Sequence, residues 1–182
     1  DCGQAMGASY GGKSVGLFGV AGAFSFDYFK IATCGEGGVT ITDSEEIYKN
    51  IDYVADHGHT HIGSNRGMED HHVMGSNFRI GELNAAVGLA QMRKLPQILA
   101  QNRKNKKYIK DRLGEIEGLA FRKLPDEAGD SATFLNFFVP TKAQAGKLFE
   151  QFSADGVGGI ANWYTNMYHF INQWDHIKEM KF

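Results

Sequence analysis

The spacing of hydrophobic positions changes several times along the 182-residue chain, and each change marks an element. Over residues 1–30, apolar residues come in short groups separated by glycine, the pattern of short extended pieces. Tyr10-Gly11-Gly12-Lys13 predicts a hairpin turn, and residues 23–26 a strand. Residues 35–38 form a second tight turn, followed by a Thr/Val/Ile strand over 39–42 that suits a pleated sheet. A helix begins after Asp43 or Ser44, because Glu45 and Glu46 fall where a helix N-terminus favours carboxylates, and it runs to about Asp56.

Residues 57–76 are polar, rich in His and Gly and without periodicity, which predicts a loop. A long helix begins near Ile80, with Leu83, Val87, Ala90, Gln91 and Lys94 at helical spacing. Pro96 marks its end or a break. Residues 98–116 then predict a second long helix carrying the solvated run Arg103-Lys104-Asn105-Lys106-Lys107. Beyond it, a strand over 134–139, an amphipathic helix over 142–153 and a strand over 159–164 suggest a small α/β lobe. The last stretch is aromatic-rich (Trp163, Tyr164, Tyr168, Phe170, Trp174). The domain division is placed between residues 1–95 and 96–182.

Composition narrows the classes of function. Hydrophobic residues make up 42% and charged residues 22%, so a packed core is expected. The net charge of −2, from interspersed acidic and basic residues, argues against nucleic acid or an anionic membrane as main partner. The apolar runs fall well short of the ~20 residues that span a bilayer. Cys2 and Cys34 form neither a disulfide framework nor a C-x-x-C pair, so a reducing cytoplasm is the expected compartment. Glycine outnumbers proline 23 to 3, and much of it lies in the first 38 residues, a sign of tight turns and close backbone approach. Asp1 opens directly into this turn-rich stretch, as if within a domain.

Three clusters carry candidate chemistry. Gly7-Ala8-Ser9-Tyr10-Gly11-Gly12-Lys13-Ser14 matches the phosphate-loop pattern G-x-x-x-x-G-K-[ST]. That loop works only between a buried strand and a helix N-terminus. Few residues precede it here, and Gly16, Gly19 and Gly22 follow it, so a hairpin is the better reading. His57, His59, His61, His71 and His72 place imidazoles at spacings that can bind zinc on an extended strand. Nothing supplies the fixed fourth ligand or the supporting shell of a metal centre, so a polar loop with structural or substrate-facing histidines is expected, and no metal. The third cluster centres on Lys30, between Phe29, Ile31 and Ala32 and just before a glycine turn. Desolvation favours the neutral amine, the form that attacks an aldehyde. From these residues alone, a lysine whose stem packs while its head reaches water is the favoured reading.

A family resemblance changes that balance. Phe24-Ser25-Phe26, Lys30 and Gly35-Glu36-Gly37-Gly38 form a block preceded by Asp1-Cys2-Gly3-Gln4-Ala5. A further block, Gly75-Ser76-Asn77-Phe78-Arg79-Ile80-Gly81-Glu82-Leu83-Asn84-Ala85-Ala86, reads G-x-N-x-R-x-x-E-x-x-A-A. In order and spacing, the three resemble the DegT/DnrJ/StrS family of sugar aminotransferases, which depend on pyridoxal 5′-phosphate (PLP). The resemblance implies the α/β fold of aspartate-aminotransferase-like (fold type I) PLP enzymes, present in part. Residues 1–95 would be the end of the large PLP-binding domain, and 96–182 a linker helix with an incomplete small C-terminal domain.

Roles follow as what the resemblance implies. Lys30 holds PLP as a Schiff base and then moves the proton during transamination. Asp1 faces the pyridine nitrogen, Gln4 the ring's 3-oxygen, and Ser25 the phosphate. Asn77 reaches the phosphate from the other subunit of a homodimer, so that the active site is shared. Arg79 is a candidate anion contact, with an ion pair to Glu82 as the alternative. The amino donor is expected to be glutamate and the acceptor a keto- or aldehydo-sugar. The segments around Asp1, Asp56-His57-Gly58-His59 and Asn105-Lys106-Lys107 look most like the branch that aminates C8 of an oxidised Kdo sugar acid for lipopolysaccharide. In a related PLP-dependent sugar dehydratase, histidine replaces the lysine, so Lys30 argues for transamination. Thr33-Cys34 departs mildly from the family's Thr-Thr. Family members are much longer, and their N-terminal part carries the Ser-Gly-Thr phosphate loop and the aromatic that stacks on the ring. The chain alone is therefore expected to be a fragment without full activity; a PLP-dependent sugar dehydratase or epimerase on the same scaffold is the second reading, and a non-catalytic remnant the third.

Overall fold

The computed structural model describes residues 1–165 and 170–181. Its contacts divide the chain into two units. One comprises Asp1–Lys110 with Lys123–Leu135, the other Asp111–Arg122 with Asn136–Phe182.

In the first unit, β1 (Ser9–Tyr10) and β2 (Lys13–Ser14) pair antiparallel, with Tyr10 opposite Lys13. Gly11 and Gly12 between them take φ values of 56° and 80°. Both central residues are left-handed, as a two-residue turn matched to strand twist requires, which is why this hairpin takes Gly-Gly. Its tip is held from far along the chain. The Asp126 carboxylate accepts from the Gly11 N–H at 2.9 Å and from the Gly129 N–H at 3.0 Å, and Ser9 N donates to Gly129 O at 2.8 Å.

β3 (Gly22–Ser25) pairs antiparallel with β4 (Gly38–Ile41), Gly22 opposite Ile41 and Ser25 opposite Gly38. α1 (Glu45–Ala55) starts where the Ser44 hydroxyl accepts from Ile47 N at 3.3 Å, and ends on Asp56. The following loop folds back on itself, with bridges between His59 and His71 and between Asp56 and Asn77.

α2 (Glu82–Leu113) is one helix of 32 residues with Pro96 inside it, where the sequence predicted an end or break. An interior proline costs about 3 kcal/mol through its missing N–H and its ring clash. Packing on both sides offsets that cost. Leu95 is buried with Met6 and Ala32, and Leu99 packs onto the same cluster beside Phe24, Phe26 and Ile31. A buried leucine contributes about 2 kcal/mol. Residues 123–135 are tied along α2 by Lys106–Asp130 and Lys110–Glu127 ion pairs, both 2.5 Å, and by Arg103 Nε donating to Asp130 O at 2.8 Å.

In the second unit, β5 (Ala120–Phe121) pairs antiparallel with β6 (Phe137–Phe138). The strand expected over 134–139 is thus reduced to two residues. α3 (Lys142–Ala154) follows, capped by the Thr141 hydroxyl accepting from Gln144 N at 3.2 Å. The strand expected over 159–164 does not form, so the predicted β-α-β unit is absent. The Asn162 carbonyl instead accepts from Thr165 N at 3.2 Å and from its hydroxyl at 3.1 Å, which turns the chain into a 3₁₀ segment at Trp163–Thr165. α4 (Asp175–Lys178) comes last. The Trp163 and Phe170 rings meet edge to face at 5.8 Å, while Tyr168 lies outside the described residues.

Candidate active site

β3 ends on Ser25 and leads into a loop pinned at both ends, which is what positions Lys30. Phe26 N donates to Gly37 O at 2.8 Å and Cys34 N to Phe26 O at 2.9 Å. Within it, Lys30 N donates to Asp27 O at 2.9 Å, closing the turn that carries the lysine, which is half-buried. From α2, Asn84 Nδ2 donates to Cys34 O at 2.7 Å and fixes the far side of the loop.

The first residues of the chain lie beside β3, since Cys2 N donates to Ala23 O at 2.8 Å. They bring Gly3 and Gln4 to a shallow crevice shared with Met6, Lys30, Ile31 and Thr133. A Cβ built on Gly3 would lie 3.2 Å from Asp1 Oδ1 and 3.7 Å from Ser25 Cβ, so both of those residues flank the same spot. Gln4 and Lys30 thus line the crevice with Gly3, and Asp1 and Ser25 lie beside Gly3.

Hydrogen bonding sets what these groups can still offer. Asp1 Oδ1 accepts from Gly3 N at 2.8 Å, leaving Oδ2 for another donor. Ser25 Oγ accepts from Asp27 N at 3.2 Å, which leaves the hydroxyl hydrogen to donate elsewhere. Thr133, which the sequence reading did not single out, closes the crevice. Its hydroxyl donates to Gln4 O at 3.1 Å and lies 2.9 Å from that of Ser131, which is buried. No local pattern marks Thr133.

Asn77 is not at this crevice. It belongs to a second cluster built on Asp56, a carboxylate only 7% exposed. Asp56 Oδ2 accepts from Arg66 Nη2 at 2.8 Å and lies 3.1 Å from His61 Nε2. Its Oδ1 accepts from Arg79 Nη1 and lies 3.2 Å from His57 Nδ1. Burial pushes the Asp56 carboxyl up, but hydrogen bonds from His57, Arg66 and Arg79 outweigh it and hold it well below the usual carboxylate range. Arg79 thus pairs with Asp56 and not with Glu82. His59 and His71 are engaged as well: His59 Nδ1 lies 3.1 Å from His71 Nε2 and 3.3 Å from Glu69 Oε2. Among the described residues, no group of three or more His, Cys, Asp or Glu is arranged to hold a metal, and no helix is long and apolar enough to cross a membrane.

The chain is similar to known proteins along most of its length. A curated relative, the L-glutamine:2-deoxy-scyllo-inosose aminotransferase of Streptoalloteichus tenebrarius, is 35% identical over 121 residues, covering 63% of this chain and 28% of its own length. The E. coli GDP-4-keto-6-deoxy-D-mannose-3-dehydratase, solved with bound hydrated PLP, superposes with a TM-score of 0.75 at 27% identity, covering 84% of this chain and 43% of its own. An aminotransferase of Helicobacter pylori involved in the biosynthesis of pseudoaminic acid gives a TM-score of 0.77 at 26% identity, covering 97% and 48%. The chain therefore spans less than half the length of these proteins, and its partial α/β fold is theirs. The sequence profile of the DegT/DnrJ/EryC1/StrS aminotransferases matches residues 1–181, so the chain belongs to that family.

Proposed function

We propose that this chain forms part of a PLP-dependent aminotransferase that moves an amino group from an amino acid to a keto- or aldehydo-sugar. The observation that carries the reading is that Lys30 and Gln4 line one crevice together with Gly3, and that Asp1 and Ser25 lie beside Gly3. This donor set suits the cofactor: an amine for its aldehyde, a carboxylate for its ring nitrogen, an amide for its ring oxygen and a hydroxyl hydrogen for its phosphate. PLP, when bound, supplies an electron sink for charge developing on the donor carbon.

The chain's own residues do the rest. Lys30 anchors the cofactor and moves a proton off the α-carbon of the amino donor. The Asp1 carboxylate keeps the facing ring nitrogen protonated, because a nearby negative charge favours the cationic form. Gln4 orients the ring, and Ser25 donates to the phosphate while its oxygen stays held by Asp27 N. Asn77 donates to the phosphate from a second copy of the chain, a role consistent with its place in the Asp56 cluster, away from the Lys30 crevice. A homodimer in a reducing cytoplasm, glutamate as donor and an oxidised Kdo-type acceptor for lipopolysaccharide complete the reading.

The dehydratase similarity supports a second reading, loss of a sugar hydroxyl on the same scaffold. Lysine at position 30, where the dehydratase carries histidine, favours transamination. The test takes the full-length protein with PLP, glutamate being added only for the transfer assay. It should show a visible absorption band that borohydride abolishes and that is absent in Lys30→Ala, together with amine transfer to one of a panel of oxidised sugars. A deoxy-sugar product without amine transfer would establish the dehydratase instead.

A further inference from the structure

We propose that Asp56 is a positioning residue that sets Asn77 for the cofactor phosphate. The inference rests on the reading of Asn77 given above and adds a residue to it.

Asp56 is the residue on which α1 stops, its N–H directed to Asp52 O and Tyr53 O at 3.2 Å each. Its backbone is therefore fixed by the helix. The segment containing Asn77 lies along this helix end: Ser76 N donates to Val54 O and Phe78 N to Ala55 O, both at 2.9 Å, and His57 N to Ser76 O at 3.1 Å. These bonds place the backbone on either side of Asn77, but they do not choose how its amide is turned.

That choice is made through Arg79. The Arg79 N–H donates to Asn77 Oδ1 at 3.3 Å, so the amide oxygen is taken and the Nδ2 donor end is the one left for an anion. The Arg79 guanidinium is gripped by Asp56 Oδ1. Carboxylate, guanidinium, backbone N–H and amide thus form one chain of contacts from the end of α1 to Asn77.

The test is a double-mutant cycle on cofactor affinity, read by titrating the apo form of the full-length protein with PLP. Asp56→Asn and Asn77→Ala should each raise the Kd about tenfold, the loss expected for a hydrogen bond to a charged group. If Asp56 acts through Asn77, the double variant should bind about as weakly as Asn77→Ala alone. Multiplicative losses, or an unchanged Kd in either single variant, overturn the proposal. Should Asp56→Asn fail to fold, Arg79→Gln severs the same chain at a half-exposed side chain, and its cycle with Asn77→Ala decides by the same criterion. A wild-type protein that binds no PLP would defeat the underlying reading; one that binds PLP with independent effects at the two positions defeats only the role of Asp56.

Discussion

Thr133 and Gln4 stand 129 positions apart, yet the Thr133 hydroxyl donates to the Gln4 carbonyl at 3.1 Å. Residues 126–133 close over the start of the chain at two places, here and at the hairpin tip, where Asp126 holds Gly11. One edge of the Lys30 crevice is thus built by a segment remote in sequence.

Thr133→Val keeps the shape and removes the hydroxyl. The Gln4 carbonyl loses its donor and Ser131 its partner, a loss of about 1 kcal/mol. The midpoint of thermal unfolding should fall by about 2–4 °C, the shift expected for a chain of this size. Because Gln4 is the proposed contact to the ring oxygen, PLP affinity should weaken as well. Calorimetry and a cofactor titration on the same variant check both outcomes.

Pro96→Ala should stabilise the protein. The helix is already continuous through this position, so alanine restores an N–H donor and removes the ring clash with the preceding turn. Against this stands the lost restriction of the unfolded chain, about 0.4–1 kcal/mol. A net gain of about 2 kcal/mol follows from helix propensity less that term. Denaturant unfolding should show a higher midpoint with an unchanged slope; a lower midpoint would mean that α2 needs a bend at Pro96.

The Asp56 carboxyl is held below its ordinary value, and this fixes the sign of a pH effect. For a group with a depressed folded pKa, the stabilisation is complete above the unfolded value, about 3.9, and is lost as pH falls through the folded one. Asp56→Asn should therefore be less stable than wild type at neutral pH, and the gap should narrow as pH falls below about 4. Thermal unfolding of the two proteins across that range tests the sign, and a gap that widens in acid would contradict the assignment.

What the chain discloses without its fold depends on how local each signal is. The hairpin was legible because Gly11-Gly12 suits one turn geometry, and the start of α1 because Ser44 and two glutamates fall at adjacent positions. Lys30, Ser25, Asp1 and Gln4 stood in ordered motifs, so their type and spacing carried the family. Pro96 misled because the packing of Leu95 and Leu99 overrides a local rule, and such packing leaves no mark near the proline. The strand expected at residues 159–164 failed because a two-bond turn at Asn162 captured the backbone. Asp56 and Thr133 were the least legible. Arg66 and Arg79 reach Asp56 from 10 and 23 positions away through a loop without periodicity, and Thr133 meets Gln4 across most of the chain.

The closure of residues 126–133 over the N-terminal hairpin also has a meaning in time. A ribosome adds roughly 5–20 residues per second. The interval between Gln4 and Thr133, 129 positions, is therefore roughly 6–26 s of synthesis. From the addition of Lys30 until that of Thr133, the nascent chain carries Lys30 beside a crevice without its last wall. Gly11, Ser9 and Gln4 lack the partners that later hold them. A metabolite aldehyde or a chaperone meeting the chain in that window meets a more open lysine than the finished fold presents.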